Sequence, residues 1–218
     1  MKVKPKICAA ITGHDLAAIS AVTPDVDLFE ARIDLIGAGW QGIVGHLRKP
    51  WIACNRCTDE GGKWQGTEKA RIAELLQAVK LGAAIIDVEL STENVKEVVK
   101  TIKQNKVECL LSFHSLAGTP PLDTLRDIVE GEMAAGADIC KVVTTARNAD
   151  DNLTVLQLIK EHPGGKIVAF AIGETGLISR VFCPLAGGEF TYAAMTRGGE
   201  SAPGQLTVAE LKEIYGLL

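Results

Sequence analysis

Short apolar runs alternate with amphipathic stretches along all 218 residues. Apolar runs at 6–12, 28–34, 51–57, 85–90, 107–114, 139–145, 166–173 and 189–195 read as strands, eight in all. Between them apolar residues recur at helical spacing: Ile72, Leu75, Leu76 and Val79; Val95, Val98, Val99 and Ile102; Leu125, Ile128, Val129 and Met133. Thr207 with Glu210 has the form of a capping box opening a last helix. The stretch Leu81-Gly82-Ala83-Ala84-Ile85-Ile86-Asp87-Val88 is echoed by Ala135-Gly136-Ala137-Asp138-Ile139-Cys140-Lys141-Val142, in each case a helix ending at glycine with a strand directly after. No linker or low-complexity stretch divides the chain. Eight β–α units without a boundary predict a single closed parallel (β/α)8 barrel, a TIM barrel, as one domain over 1–218. An open doubly wound sheet would carry a Gly-rich nucleotide turn after the first strand, and Thr12-Gly13-His14-Asp15 is not one.

Strands of a parallel sheet covered by helices should be nearly all apolar. Here polar residues interrupt them with a period of two: Glu30, Arg32 and Asp34; Cys54 and Arg56; Asp87 and Glu89; Ser112 and His114; Lys141 and Thr145. That period puts each set on one face. Phe29, Ala31, Ile33, Val88, Cys109, Leu111 and Phe113 take the opposite face and suit packing against helices. The polar set is therefore expected to line the barrel interior. Buried charges must pair or bind something. A self-satisfied network, such as Arg32 with Glu30 or Asp87, accounts for part of the set. A histidine and a lysine near strand C-termini fit an active site, the end at which barrel enzymes do their chemistry.

Lys141 lies in Ile139-Cys140-Lys141-Val142-Val143 with no acid beside it in the run. Burial there is expected to pull the amine well below the ordinary value of about 10.4, and a neutral buried amine is a nucleophile toward ketones. The alternative is a lysine that snorkels to the strand end. Arg56-Cys57-Thr58-Asp59-Glu60-Gly61-Gly62 brings Arg56 and Glu60 to the mouth. The segment Thr196 to Gln205 after the last strand suits either a closing lid or a plain connector. Arg180, with Gln205, could clamp a carboxylate through a bidentate pair. His14, His46 and His162 are not singled out by any neighbour.

A net charge of −4 argues against nucleic acid or an anionic membrane as the main partner. No apolar run approaches the roughly 20 residues of a membrane span. Met1-Lys2-Val3-Lys4-Pro5 lacks a signal-peptide apolar region, so a cytoplasmic location is expected. Of six cysteines, Cys8, Cys109 and Cys140 sit in apolar runs as small hydrophobes, and Cys54 and Cys57, three apart, would point to opposite faces of a strand. No interior group shows metal-ligand spacing, so neither a metal nor an organic cofactor is expected.

Taken in order, these residues resemble the type I 3-dehydroquinases, the Schiff-base class of 3-dehydroquinate dehydratase. The resemblance runs from about Ile7 to the C-terminus. It rests on Glu30-Ala31-Arg32-Ile33-Asp34, the R-x-x-x-E-G-G from Arg56 to Gly62, Asp87-Val88-Glu89-Leu90 with Ser112-Phe113-His114, Lys141, and finally Gly176 to Arg180 with Ser201-Ala202-Pro203-Gly204-Gln205. It implies dehydration of 3-dehydroquinate in the shikimate pathway, with Lys141 forming the imine, His114 moving the protons and Glu60 orienting His114. It implies that Glu30, Arg32, Arg56, Arg180, Ser201 and Gln205 hold the substrate, and that the enzyme is a homodimer. Phe113, Ser115, Phe170 and Ile172 depart from the family's usual residues, and a floor-covering N-terminal hairpin is not expected. Two other readings stay open from the residues alone: a class I Schiff-base aldolase and a catalytically silent barrel that binds ligand.

Overall fold

The computed structural model describes residues 4–218; Met1, Lys2 and Val3, on which part of the leader reading rests, lie outside them. Among the described residues eight strands form one parallel sheet: β1 (Ile7–Ile11), β2 (Leu28–Arg32), β3 (Trp51–Cys54), β4 (Ile85–Glu89), β5 (Glu108–Ser115), β6 (Ile139–Thr145), β7 (Ile167–Ile172) and β8 (Thr191–Ala194). Their order is β7-β6-β5-β4-β3-β2-β1-β8, so β1 pairs with both β2 and β8 and the sheet curls round. Among the described residues no ladder joins β7 to β8. The Glu189 N–H donating to the Ile167 carbonyl at 2.8 Å and the Phe170 and Tyr192 rings 6.0 Å apart bridge that seam.

Helices follow the strands as the periodicity predicts: α1 (Leu16–Val22), α2 (Ile33–Ile36), α3 (Trp40–Val44), α4 (Glu68–Lys80), α5 (Val95–Gln104), α6 (Leu122–Ala135), α7 (Asp150–Glu161), α8 (Leu177–Leu185) and α9 (Val208–Leu217). The capping box at α9 forms in full, with Thr207 and Glu210 each satisfying the other's backbone N–H. No helix is long and apolar enough to cross a membrane among the described residues.

Two strands end two or three residues earlier than the apolar runs predict. β2 stops at Arg32 because the chain turns into α2, and the Asp34 carboxylate folds back to take a bidentate pair from the Arg32 guanidinium at 2.9 and 2.8 Å. Asp34 is thus a partner of Arg32 and not a member of the strand. β3 stops at Cys54, and Arg56 sits beyond it. Two residues before each interior polar position stands an apolar one: Leu28, Ile52, Ile85, Leu110 and Ile139 precede Glu30, Cys54, Asp87, Ser112 and Lys141. These five belong to one buried cluster and fill the barrel's lower interior with side chains. Phe29, Ala31, Ile33, Val88, Cys109 and Leu111 belong to the other cluster, packed beneath the helices. Phe113 is only partly buried.

Candidate active site

The polar residues of the interior come together at the C-terminal end of the strands. Every site residue singled out from the sequence lines one cavity of about 150 Å³. Lys141, on β6, sits at its base. Its Nζ is 2.9 Å from Asp87 Oδ2 on β4, 3.6 Å from Glu30 Oε1 on β2, and 4.5 Å above the Tyr192 ring on β8. The expected unpaired, neutral amine is overturned. Burial by itself would lower the Lys141 pKa, but Asp87 and then Glu30 outweigh it and hold the amine above its ordinary value. The acids come from strands distant in sequence, so the local run could not reveal them.

The interior also holds a donor group that residue spacing missed. Glu30, Cys54 and Asp87 offer ligand atoms all within 4.8 Å of one another. The Lys141 ammonium already lies against two of them, and burial, the largest influence on the Cys54 thiol, pushes its pKa well up, disfavouring a thiolate. A metal there would have to displace the ammonium. All six cysteines are free.

Arg56 was expected to hold substrate. Its guanidinium is buried and largely committed to protein. Nη1 donates to Ser112 Oγ at 2.7 Å and meets Glu89 Oε1 at 2.9 Å, while Nη2 donates to Asp87 Oδ2 at 2.7 Å. It reaches the cavity, but chiefly as a strut beneath Asp87. Arg32, held by Asp34, is the freer arginine on that side.

His114 and Glu60 meet across 54 residues of sequence. Glu60 ends a short 3-10 turn, Thr58–Glu60, placed by the two glycines that follow. Gly61 takes the left-handed conformation at φ +82°, and a Cβ on Gly62 would lie 1.9 Å from the Arg56 carbonyl oxygen. That close approach folds the loop back, which is the physical content of the E-G-G run. Ser91 Oγ donates to Glu60 Oε1 at 3.1 Å, and Oε2 faces the histidine. Burial raises the Glu60 carboxyl to about 7, with Arg56 opposing. Burial, then Arg56 and Lys141, push His114 well below its ordinary value, so the ring is neutral at physiological pH. With Nδ1 held by Glu60, Nε2 is left for the cavity.

Arg180, on α8, faces the cavity from the other side. It is the one of four buried arginines with no carboxylate partner among the described residues. Among the described residues its Nε has no hydrogen-bond partner, its Nη2 reaches the Pro203 carbonyl at 3.4 Å, and the guanidinium stacks 4.7 Å from the Phe170 ring. Burial alone lowers its pKa to about 10. A desolvated cation that no protein carboxylate pairs among the described residues is suited to bind an anion. The 196–205 segment lies over this arginine. Ser201 donates to Gln205 Oε1 from its N–H at 2.7 Å and its hydroxyl at 3.1 Å, and the Gly173 N–H donates to Pro203 at 3.1 Å.

Tyr192 was missed by sequence reasoning. A tyrosine in a buried strand reads as an ordinary β-former, and only the barrel places its ring under Lys141 and its hydroxyl, without a hydrogen-bond partner among the described residues, inside the cavity wall. The remaining histidines stay outside the site: His14 and His46 are exposed and His162 Nδ1 contacts the Leu158 carbonyl.

A buried, carboxylate-paired lysine beside a neutral imidazole, at the strand C-termini of a parallel (β/α)8 barrel, defines a lysine-centred barrel enzyme. The chain belongs to the type I 3-dehydroquinase family, whose model matches residues 7–218. It is 42% identical over 215 residues to the 3-dehydroquinate dehydratase of Dehalococcoides mccartyi, covering 99% of this chain and 96% of that one. With that of Methanocaldococcus jannaschii it shares 34% identity over 195 residues, 88% of this chain and 87% of the other. The crystal structure of 3-dehydroquinate dehydratase from Geobacillus kaustophilus superposes with a TM-score of 0.86 at 26% identity, covering 99% and 91% of the two chains.

Proposed function

We propose that this chain dehydrates 3-dehydroquinate to 3-dehydroshikimate through an imine on Lys141. Arg180 carries the reading furthest: a buried, unpaired guanidinium across a small cavity from a buried lysine suits a ketone that also bears a carboxylate. In the free enzyme the amine is protonated, held by Asp87 and Glu30. The neutral His114 ring, on the same interior face of the neighbouring strand, accepts that proton. The freed amine attacks the ketone carbon, His114 gives the proton back to the carbinolamine hydroxyl as it leaves as water, and what remains is a protonated imine, an electron sink, beside a neutral His114.

His114 then takes the C2 proton, and the electron pair moves into a neutral enamine. The same imidazolium returns the proton to the C1 hydroxyl as the C–O bond breaks, so one group serves both transfers. Water hydrolyses the product imine and restores Lys141. Glu60 holds the Nδ1 side throughout and stabilises the imidazolium. Arg180, Gln205 and Ser201 take the carboxylate; Glu30 and Arg32 take the ring hydroxyls, with Arg56 at the edge. The chemistry calls for no metal or organic cofactor. The same reading makes the chain a single-domain cytoplasmic enzyme that pairs as a homodimer, for which exposed apolar residues on α7 and α8 such as Leu153, Ile178 and Phe182 are the supporting feature.

Borohydride reduction in the presence of 3-dehydroquinate, followed by peptide mass mapping, tests the reading. The adduct is expected on the peptide holding Lys141. Normal turnover with an adduct elsewhere, or with none, would sink the imine route.

A further inference from the structure

Arg71 lies on α4, behind the sheet, and is among the largest fully buried side chains of the protein. Its donors are all engaged. Nε and Nη2 form a bidentate pair with Glu68 at 2.7 Å each. Nη2 also donates to Thr92 Oγ1 at 2.9 Å, and Nη1 to the Asn55 carbonyl at 3.0 Å and to Glu89 Oε2. The other oxygen of Glu89 meets Arg56 Nη1 at 2.9 Å. Arg56 Nη2 lies 2.7 Å from Asp87 Oδ2, the same oxygen that lies 2.9 Å from Lys141 Nζ.

The signs alternate along this line: Glu68, Arg71, Glu89, Arg56, Asp87, Lys141. Only Glu68 reaches solvent, its side chain 40% exposed. Every later member is buried, so each charge acts on the next with little screening. Glu89 is the branch point. Shared between two arginines, it leaves Arg56 free to hold Asp87. Deprived of Arg71, it would draw Arg56 toward itself, and Asp87 would turn more fully to the lysine.

Resting on the reading of Lys141 as the amine nucleophile, we propose that Arg71 is a positioning residue for catalysis, fixing through Glu89, Arg56 and Asp87 both the place of the Lys141 ammonium and how readily it gives up its proton. The groups facing Lys141 are Asp87 from β4, Glu30 from β2, Cys54 and Arg56 from β3 and its following loop, His114 from β5 and the Tyr192 ring from β8. Loss of the Arg71 charge removes none of these groups and adds net negative potential. The ammonium is then held harder and the amine is a slower nucleophile at any pH below its own titration.

The test measures the rate at which acetic anhydride acylates Lys141 in substrate-free enzyme near neutral pH, followed by peptide mass. Arg71→Gln is expected to slow acylation by about 3- to 10-fold, half a unit to one unit of proton affinity. Arg71→Lys keeps the charge and should stay within about twofold. Glu68→Gln, at the solvent end, gives Arg71 wholly to Glu89 and should speed acylation by about two- to threefold. A merely structural role predicts the opposite for Arg71→Gln, because a loosened interior exposes Lys141 and speeds its labelling. Unchanged or faster labelling in Arg71→Gln overturns the proposal, and where that variant does not fold, unchanged or slower labelling in Glu68→Gln does so. Under the proposal kcat/KM of Arg71→Gln for 3-dehydroquinate falls with the labelling rate. Labelling that moves as expected in an enzyme without that activity would leave the charge coupling standing and remove only the functional reading.

Discussion

One oxygen of Glu60 serves His114 twice: Oε2 lies 3.0 Å from the His114 backbone N–H and 2.8 Å from ring Nδ1. The double contact fixes the strand end and the ring with a single group. It also sets which ring nitrogen faces the cavity.

A pH dependence follows. Burial raises Glu60 to about 7. The anion is the form that accepts Nδ1–H and stabilises the imidazolium, so kcat is expected to rise with pH through about 7. Stability moves the other way. A carboxyl raised on folding favours the folded state while protonated, so its contribution is full below the ordinary value of 4.5 and is lost as pH rises through about 7. Glu60→Gln removes that term. Its Tm relative to wild type should therefore increase from pH 5 to pH 7.5, checked by thermal unfolding at about those two values, while kcat loses its midpoint near 7. An unchanged Tm difference would show that Glu60 does not titrate there.

His114→Ala should still form the imine but eliminate slowly. The expected loss in kcat is on the order of 10²–10⁴, the usual worth of a general acid–base group. Borohydride trapping and steady-state kinetics on the same variant separate the two steps. Near-normal kcat would refute the assignment.

Arg180→Met should separate binding from stability. The wild-type guanidinium is buried and no protein carboxylate pairs with it among the described residues, so replacing it with an apolar chain should leave Tm unchanged or raise it. Each charged hydrogen bond lost from the substrate carboxylate is worth about 1.5–3 kcal/mol, so KM should rise at least about tenfold. A fall in Tm with unchanged KM would make Arg180 a structural residue.

Gly204→Ala probes the loop over the mouth. Gly204 has φ +73°, and a Cβ there would stand 2.3 Å from the Gly173 carbonyl oxygen, a backbone atom with little room to yield. The segment must shift, taking Ser201 and Gln205 with it. KM should rise by about tenfold with little change in Tm, since an exposed loop contributes little to global stability. Hydrogen exchange of the 196–205 amides in free and substrate-trapped enzyme should show protection in the wild type and less in the variant.

Much of this architecture is written locally. Period-two polarity within apolar runs marks interior faces one strand at a time, because adjacent side chains on a strand must point to opposite sides of the sheet. Thr207 and Glu210 set the start of α9 by contacts three residues apart, and Gly61-Gly62 sets the turn that presents Glu60. Such signals need only neighbours in the chain, and Glu30, Arg32, Arg56, Glu60, His114 and Lys141, which they marked, reach the same cavity. What pairs with what is a different matter. Lys141 reads as isolated along its strand, yet it is charged, because closing the barrel brings Asp87 and Glu30 to it from two other strands. Arg56 reads along the chain as a residue of the mouth, and only the fold shows that Glu89, Asp87 and Ser112 also hold it. Tyr192 reads as filler until its ring lies beneath the ammonium. Electrostatic partnership falls off with distance in space and not along the chain. The sequence by itself therefore determined which residues face inward, and only the tertiary structure decided the protonation states in which they wait.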